Sequence, residues 1–194
     1  METKEEIYRH LRDLRDHLVA QTGRLAEISD GEIVMMMSPV PLHGLTAKRI
    51  VRQLDAQLTP PFAAFENTDT DDERLGKLRI PDIVVVPEPA MERTTPLDPR
   101  DITLAVEIVS RSNPDSDYIK KTADYAAMGI PHYLIVDPRL GTCLHLFQIG
   151  TLDGRPAYEA RMPYKYGDAI PIGNLLINTS GLPLYSDAEQ EPPS

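Results

Sequence analysis

A chain of 194 residues, 41% of them hydrophobic, is long enough to bury a core and short enough that one domain is the default. Thirty acids against twenty lysines and arginines leave a net charge of −10, which repels nucleic acid globally, so any contact with it must rest on local bases. The single cysteine, Cys143, excludes disulfide scaffolds and zinc clusters, and no apolar run approaches the roughly 20 residues needed to span a bilayer.

Residues 4 to 19 read as a helix, with Ile7, Leu11, Leu14 and Leu18 at helical spacing and a capping box from Thr3 to Glu6. The segment is charged and has no apolar signal core, so a cytoplasmic location is expected. Asp30-Gly31 suits the positive φ angles of a two-residue turn, which pairs residues 23–29 with 32–37 as a hairpin. After Pro39 and Pro41 a second helix lines Ala47, Ile50, Val51, Leu54 and Leu58 along one face and turns Lys48, Arg49 and Arg52 outward. A strand near Ala63 to Glu66 precedes the acidic run Asp69 to Glu73. That run lacks the glycine and ligand spacing of a calcium loop and is expected to be solvated, without chemistry.

Two strands follow, over 79–86 and 102–110, the second apolar on the face of Ile102, Leu104, Val106 and Ile108 with Glu107 on the other. Asp115 to Met128 reads as a third helix stopped by Gly129 and Pro131, and His132 to Val136 as a buried strand ending at Asp137-Pro138. Short strands around 142–148, 156–162 and 169–172 make the last part β-rich, and residues 186–194 have nothing to bury and are expected to be disordered. The strand, helix, strand passage from 102 to 136 implies one parallel crossover in an otherwise antiparallel sheet. The fold class is therefore α/β, a mixed β-sheet flanked by helices. Within one domain over 1–185 we separate a helix and hairpin (1–39), a core (40–140) and a β-rich end (141–185).

Asp82 and Glu107 each place a carboxylate among apolar strand residues, where an ionised acid costs several kcal/mol unless it is paired or holds a cation. At about 100° per residue the third helix turns Tyr118, Thr122, Tyr125 and Ala126 inward. Lys121 then lies on the flank of that face and Lys120 in solvent. Two acids and one lysine that converge suit Mg²⁺ or Mn²⁺ and phosphodiester hydrolysis. Asp82 after a proline also fits a simple turn, and Lys121 also fits a surface pair with Asp117. Glu32 and His43 are candidate accessory groups, against a solvated strand glutamate and a hydrogen-bonded core histidine. Lys48, Arg49 and Arg52 are candidate DNA-phosphate contacts, against a solvated helix face.

The ordered set Gly31-Glu32, Ser38-Pro39, His43, Pro81-Asp82, Val106 to Ser110, Lys121 with Tyr125, Gly129 to Tyr133 and Val136-Asp137-Pro138 resembles the Uma-two-like family of restriction endonucleases, a branch of the PD-(D/E)XK nuclease superfamily. The resemblance covers roughly residues 23 to 140. It implies a restriction-endonuclease-like core, DNA as substrate, a homodimer that cuts two strands, and Asp82 and Glu107 as metal ligands. The superfamily lysine usually lies two residues after the second acid, where this chain has Val109. The family pattern moves it to the next helix, at Lys121. A catalytically inactive binding or assembly module with the same fold is the alternative. An acid-pair glycosidase is a distant third, since the chain has no Trp and three Phe to build a sugar platform.

Overall fold

The computed structural model describes residues 3–111 and 115–185. The chain runs through helix α1 (Lys4–Thr22), strands β1 (Ala26–Ser29) and β2 (Glu32–Met35), helix α2 (Pro41–Asp55), and strands β3 (Phe62–Glu66), β4 (Thr70–Asp72), β5 (Lys77–Arg79), β6 (Ile83–Pro87) and β7 (Leu104–Ile108). A π-helical stretch (Ser116–Lys121) leads into α3 (Thr122–Met128). Strands β8 (His132–Asp137), β9 (Thr142–Leu152), β10 (Arg155–Lys165), β11 (Ala169–Ile172) and β12 (Leu175–Asn178) follow. The tail expected over 186–194 lies outside the described residues.

A six-stranded sheet in the order β10-β9-β8-β7-β6-β3 forms the centre. Within it β7 and β8 are parallel and every other pair is antiparallel, as the crossover predicts. Apolar residues bury both of its faces. Leu104, Val106 and Ile108 pack with Ile50, Val51 and Leu54 of α2 and with the β11–β12 hairpin on one side. Ala105, Tyr133 and Ile135 pack with Tyr125, Ala126 and Met128 of α3 on the other. Each Val, Leu, Ile or Met among them taken fully out of water contributes roughly 1.5–3 kcal/mol before entropy is subtracted. Gly129, at φ 81°, ends α3 in the left-handed conformation that a glycine adopts without cost.

A second sheet, β2-β1-β5-β4, is covered by α1 through Tyr8, Leu11, Ile28, Leu78 and Ile80. The capping box forms as expected, and Asp30 and Gly31 take φ values of 55° and 79° at the hairpin turn. The chain passes from one sheet to the other at Ile80-Pro81-Asp82. The single strand expected over 79–86 is therefore two, β5 and β6, in different sheets. Pro81 has no N–H to give to a ladder, which suits it to that break.

The acidic run differs most from expectation. Residues 70–72 are β4, paired with β5, and Asp69 and Asp71 dock α1 by ion pairs to Arg15 and Arg12. Asp72 is buried and held by Arg74 at 2.7 Å. The strands expected around 142–148 and 156–162 are one long hairpin, β9 and β10, of 11 residues each. At the free edge of β12, Gln53 of α2 donates to the carbonyl of Asn178 at 3.1 Å and accepts from its N–H at 2.7 Å. Gln57 does the same for Leu176 at 2.8 Å in both directions.

Candidate active site

Asp82 stands immediately before β6, at the point where the chain changes sheets. Its Oδ2 accepts the backbone N–H of Ile108 at 2.7 Å, which ties it to the strand residue next to Glu107. Its Oδ1 lies 3.0 Å from Nε2 of His43, on the first turns of α2. Glu107 projects from β7 on the face covered by α3. Its Oε1 accepts a hydrogen bond from the Tyr125 hydroxyl and lies 2.9 Å from the Lys121 ammonium. Ionic and hydrogen-bond contacts thus gather Asp82, Glu107 and Lys121, and each is at most 6% exposed.

Lys121 reaches this place from the last residue of the π-helical stretch. A π-turn closes i to i+5 and takes more residues per turn than an α-helix, so a wheel drawn at 100° per residue holds for α3 but not upstream of it. Thr122 Oγ1 donates to the Asp117 carbonyl and the Tyr133 hydroxyl donates to the same oxygen, which fixes the widened turn. Both Asp117 and Lys121 consequently face inward, 3.5 Å apart. Lys120 is exposed. Tyr118, expected on the inward face, is half-buried and donates to Asp137 at 3.1 Å.

Glu27, on β1, belongs to this group and was not among the residues singled out from sequence. It is buried, with Oε1 3.6 Å from Lys121 Nζ and 2.9 Å from the Ile80 N–H, and Oε2 2.8 Å from Arg79. Arg79 also bonds Asp124 of α3, at 2.8 Å from its Nε, and Ser29 at 2.8 Å. Asp124 in turn lies 2.8 Å from Lys77. The signal that could have found Glu27 is its period: in Ala26-Glu27-Ile28-Ser29 it shares a strand face with Ser29 and opposes the apolar pair. Glu32 is exposed at the hairpin edge opposite Ser29. It has no hydrogen bond or ion pair with Asp82, Glu107 or Lys121 among the described residues.

The electrostatics follow from many acids sharing one ammonium. Burial, opposed by Lys121 but reinforced by Asp82, Asp117 and Glu27, drives the Glu107 carboxyl well above its ordinary value. Burial raises Asp117 to about 6 despite Lys121 beside it. Glu27 is also pushed up by burial, but Lys121 and Arg79 together outweigh this and hold it below its ordinary value. Burial would lower the Lys121 ammonium, and Glu107, Glu27 and Asp117 raise it instead, so the lysine is charged. Burial opposes the charge on His43 too, and Asp82 more than offsets it and raises its pKa.

Hard oxygen donors whose negative charge is not fully offset fit a divalent cation, and Mg²⁺ typically takes one or two protein carboxylates and completes its shell with water and phosphate. Asp82 and Glu107 fit that demand. No group of three His, Cys, Asp or Glu side chains among the described residues is disposed as a metal cage. Lys48, Arg49 and Arg52 are exposed on α2, where Arg49 donates to the Gly181 carbonyl. Arg49 and Arg52 line an open depression of about 430 Å³ with Gln53, Asn178 and Ser180.

The model of the Uma2 family, described as "Putative restriction endonuclease", matches residues 10–172. The chain belongs to this family. A crystal structure from Anabaena variabilis ATCC 29413, described as a "putative nuclease belonging to DUF820", is similar to this Uma2 chain at a TM-score of 0.64 and 15% identity. The match covers 83% of this chain and 90% of that one, and it shows a shared fold. No curated protein matches the chain. No helix among the described residues is long and apolar enough to cross a membrane.

Proposed function

We propose that this Uma2 protein is a divalent-metal-dependent endonuclease that hydrolyses DNA phosphodiester bonds, with Asp82 and Glu107 holding Mg²⁺ or Mn²⁺ and Lys121 as the charged helper. The observation that carries this reading is the meeting of Lys121 with Glu107 at 2.9 Å, in a site where Asp82 is tied to the very next residue of the same strand. A cation bound there supplies Lewis-acid polarisation of a phosphoryl oxygen and a more acidic water. Tyr125 and the Ile108 N–H orient the two carboxylates, and each carboxylate oxygen has further lone pairs to offer. Lys121 offsets charge that develops on the phosphate. DNA as substrate, and two copies acting on two strands, are carried into this reading by analogy with the family. With a net charge of −10, the exposed Lys48, Arg49 and Arg52 are the contacts on which binding would depend.

One observation favours a second reading, a binding or assembly module that keeps the fold without cleaving. Glu107 and Lys121 are almost wholly buried and already satisfy each other, so substrate has to displace that pair. The assay that separates the two is Mn²⁺-supported cleavage of plasmid and single-stranded DNA by wild type, Lys121→Ala, Lys120→Ala, Asp82→Asn and Glu107→Gln, with folding checked by circular dichroism. Loss of a group that stabilises transition-state charge costs on the order of a hundredfold in rate, and loss of a solvated one costs little. Lys121→Ala and both acid substitutions are expected to fall by that much, and Lys120→Ala to cleave like wild type. Equal losses from both lysine variants would overturn the mechanism, and a wild type inert with every metal would leave the binding module.

A further inference from the structure

We infer that Glu27 is a positioning residue of this site, holding the Lys121 ammonium and the chain leading into Asp82 in one register, a role that rests on the assignment of Asp82, Glu107 and Lys121 above. Its carboxylate touches both parts. Oε1 lies 3.6 Å from Lys121 Nζ and accepts the N–H of Ile80 at 2.9 Å, two residues before Asp82. Pro81 between them has no N–H, so the Ile80 amide is a natural grip on that crossing.

Oε2 is taken by Arg79 at 2.8 Å, and the rest of the guanidinium is spent on Asp124 and Ser29. A planar fork with fixed donors suits this work better than a flexible ammonium, because its orientation cannot drift while three partners hold it. The chain of contacts closes on itself. Glu27 stands on β1, Arg79 on the neighbouring β5, Asp124 on α3, and Lys121 at the N-terminal side of α3, from which it returns to Glu107 and to Glu27.

Sheet β2-β1-β5-β4 thus contributes an anchor to a site whose two proposed metal-binding acids stand on β7 of the other sheet and immediately before its β6. With both oxygens occupied by Arg79, Ile80 and Lys121, Glu27 is placed to hold neighbours rather than to bind a cation itself. Fixing a charged group within about half an ångström of its working place is what such supporting contacts accomplish in a functional site.

The test reads the lysine directly. In ¹⁵N–¹H NMR of the full chain, the Lys121 ammonium is assigned by its loss in Lys121→Met, and its hydrogen exchange is compared between wild type and two variants. Glu27→Gln keeps the shape and the acceptor for Ile80 but drops the charge. Glu27→Asp keeps the charge and shortens the reach, so it decides the question if the Gln variant does not fold. Exchange should quicken about tenfold in Glu27→Gln, which takes one ion-pair partner from a buried ammonium that keeps Glu107 and Asp117, and by less in Glu27→Asp. Leu11→Ala, on the far side of sheet β2-β1-β5-β4, serves as a control for general destabilisation and should leave that exchange unchanged. Wild-type exchange in the folded Glu27 variants, or an equal rise in Leu11→Ala, would overturn the role. Cleavage is measured in parallel: faster exchange in a protein whose wild type never cuts DNA would uphold the positioning of Lys121 while removing the nuclease reading.

Discussion

At the junction of α1 and β4, Asp69, Asp71 and Asp72 meet Arg15, Arg12 and Arg74 in turn, whereas between the two sheets Glu27, Glu107 and Asp117 crowd round the single ammonium of Lys121, with Arg79 as a second cation for Glu27 alone. The residue types are the same and the arithmetic of pairing is not. Pairing in which each of these acids has its own arginine, and at least one member of each pair keeps contact with water, makes a clamp, here reinforced by the Tyr8 hydroxyl on Asp71. Many-to-one pairing under burial leaves carboxyls displaced from their ordinary protonation, Glu107 well upward and Asp117 to about 6. A cluster of acids in a sequence is thus no guide to chemistry until its cations are counted and its depth is known.

The largest effect that should set the two regions apart comes from Arg79. Replacing this 2%-exposed side chain by Met strands Glu27 and Asp124 without their strongest partner, at a cost of about 3–5 kcal/mol by urea denaturation. A loss under 1 kcal/mol would show that the central cluster is as loosely coupled as the clamp. Asp117→Asn sharpens the contrast through pH. A carboxyl raised to about 6 from 3.8 holds its proton more tightly in the folded chain, so its contribution is complete below about pH 4 and is lost as pH rises through 6. Asn stays neutral throughout. Relative to wild type the variant should therefore gain on the order of 2 kcal/mol between about pH 4 and pH 7, read from melting curves at both ends. A flat difference would mean that Lys121 already compensates Asp117 in full. The smallest effect belongs to Arg12→Ala, which loosens the α1 clamp by about 1 kcal/mol or less because both partners keep some contact with water. If it matched Arg79→Met, the distinction between clamp and cluster would collapse.

Much of the architecture is written locally in the chain. Asp30-Gly31 specifies its hairpin, Thr3 and Glu6 their cap, Gly129 and Pro131 the end of α3, and a helix between two apolar strands the one parallel pair of the central sheet. The contrast between Lys120 and Lys121 was legible for the same reason, since neighbours on a helix diverge under any period. What was not legible depends on partners far away in sequence. Glu27 is 52 residues from Arg79, and the acidic run 69–72 finds Arg15 and Arg12 some 54 and 59 residues earlier, so its composition read as solvated loop. The inward turn of Asp117 needs a π-helical period that no α-helical wheel contains. Glu32 looked like an accessory ligand because it adjoins the turn, while the buried acid of that hairpin is on the opposite strand.

The two glutamines on α2 have a consequence for how copies of this chain can associate. A strand at the end of a sheet offers its peptide groups to any passing backbone, and that is a usual route to fibres and to strand-exchanged pairs. Here Gln53 and Gln57 imitate a neighbouring strand with side-chain amides, donating and accepting at Asn178 and Leu176 as a third strand would. Another molecule that sought to extend the β11–β12 ribbon would first have to unzip that ladder, so self-association by backbone pairing is turned away from this end of the protein.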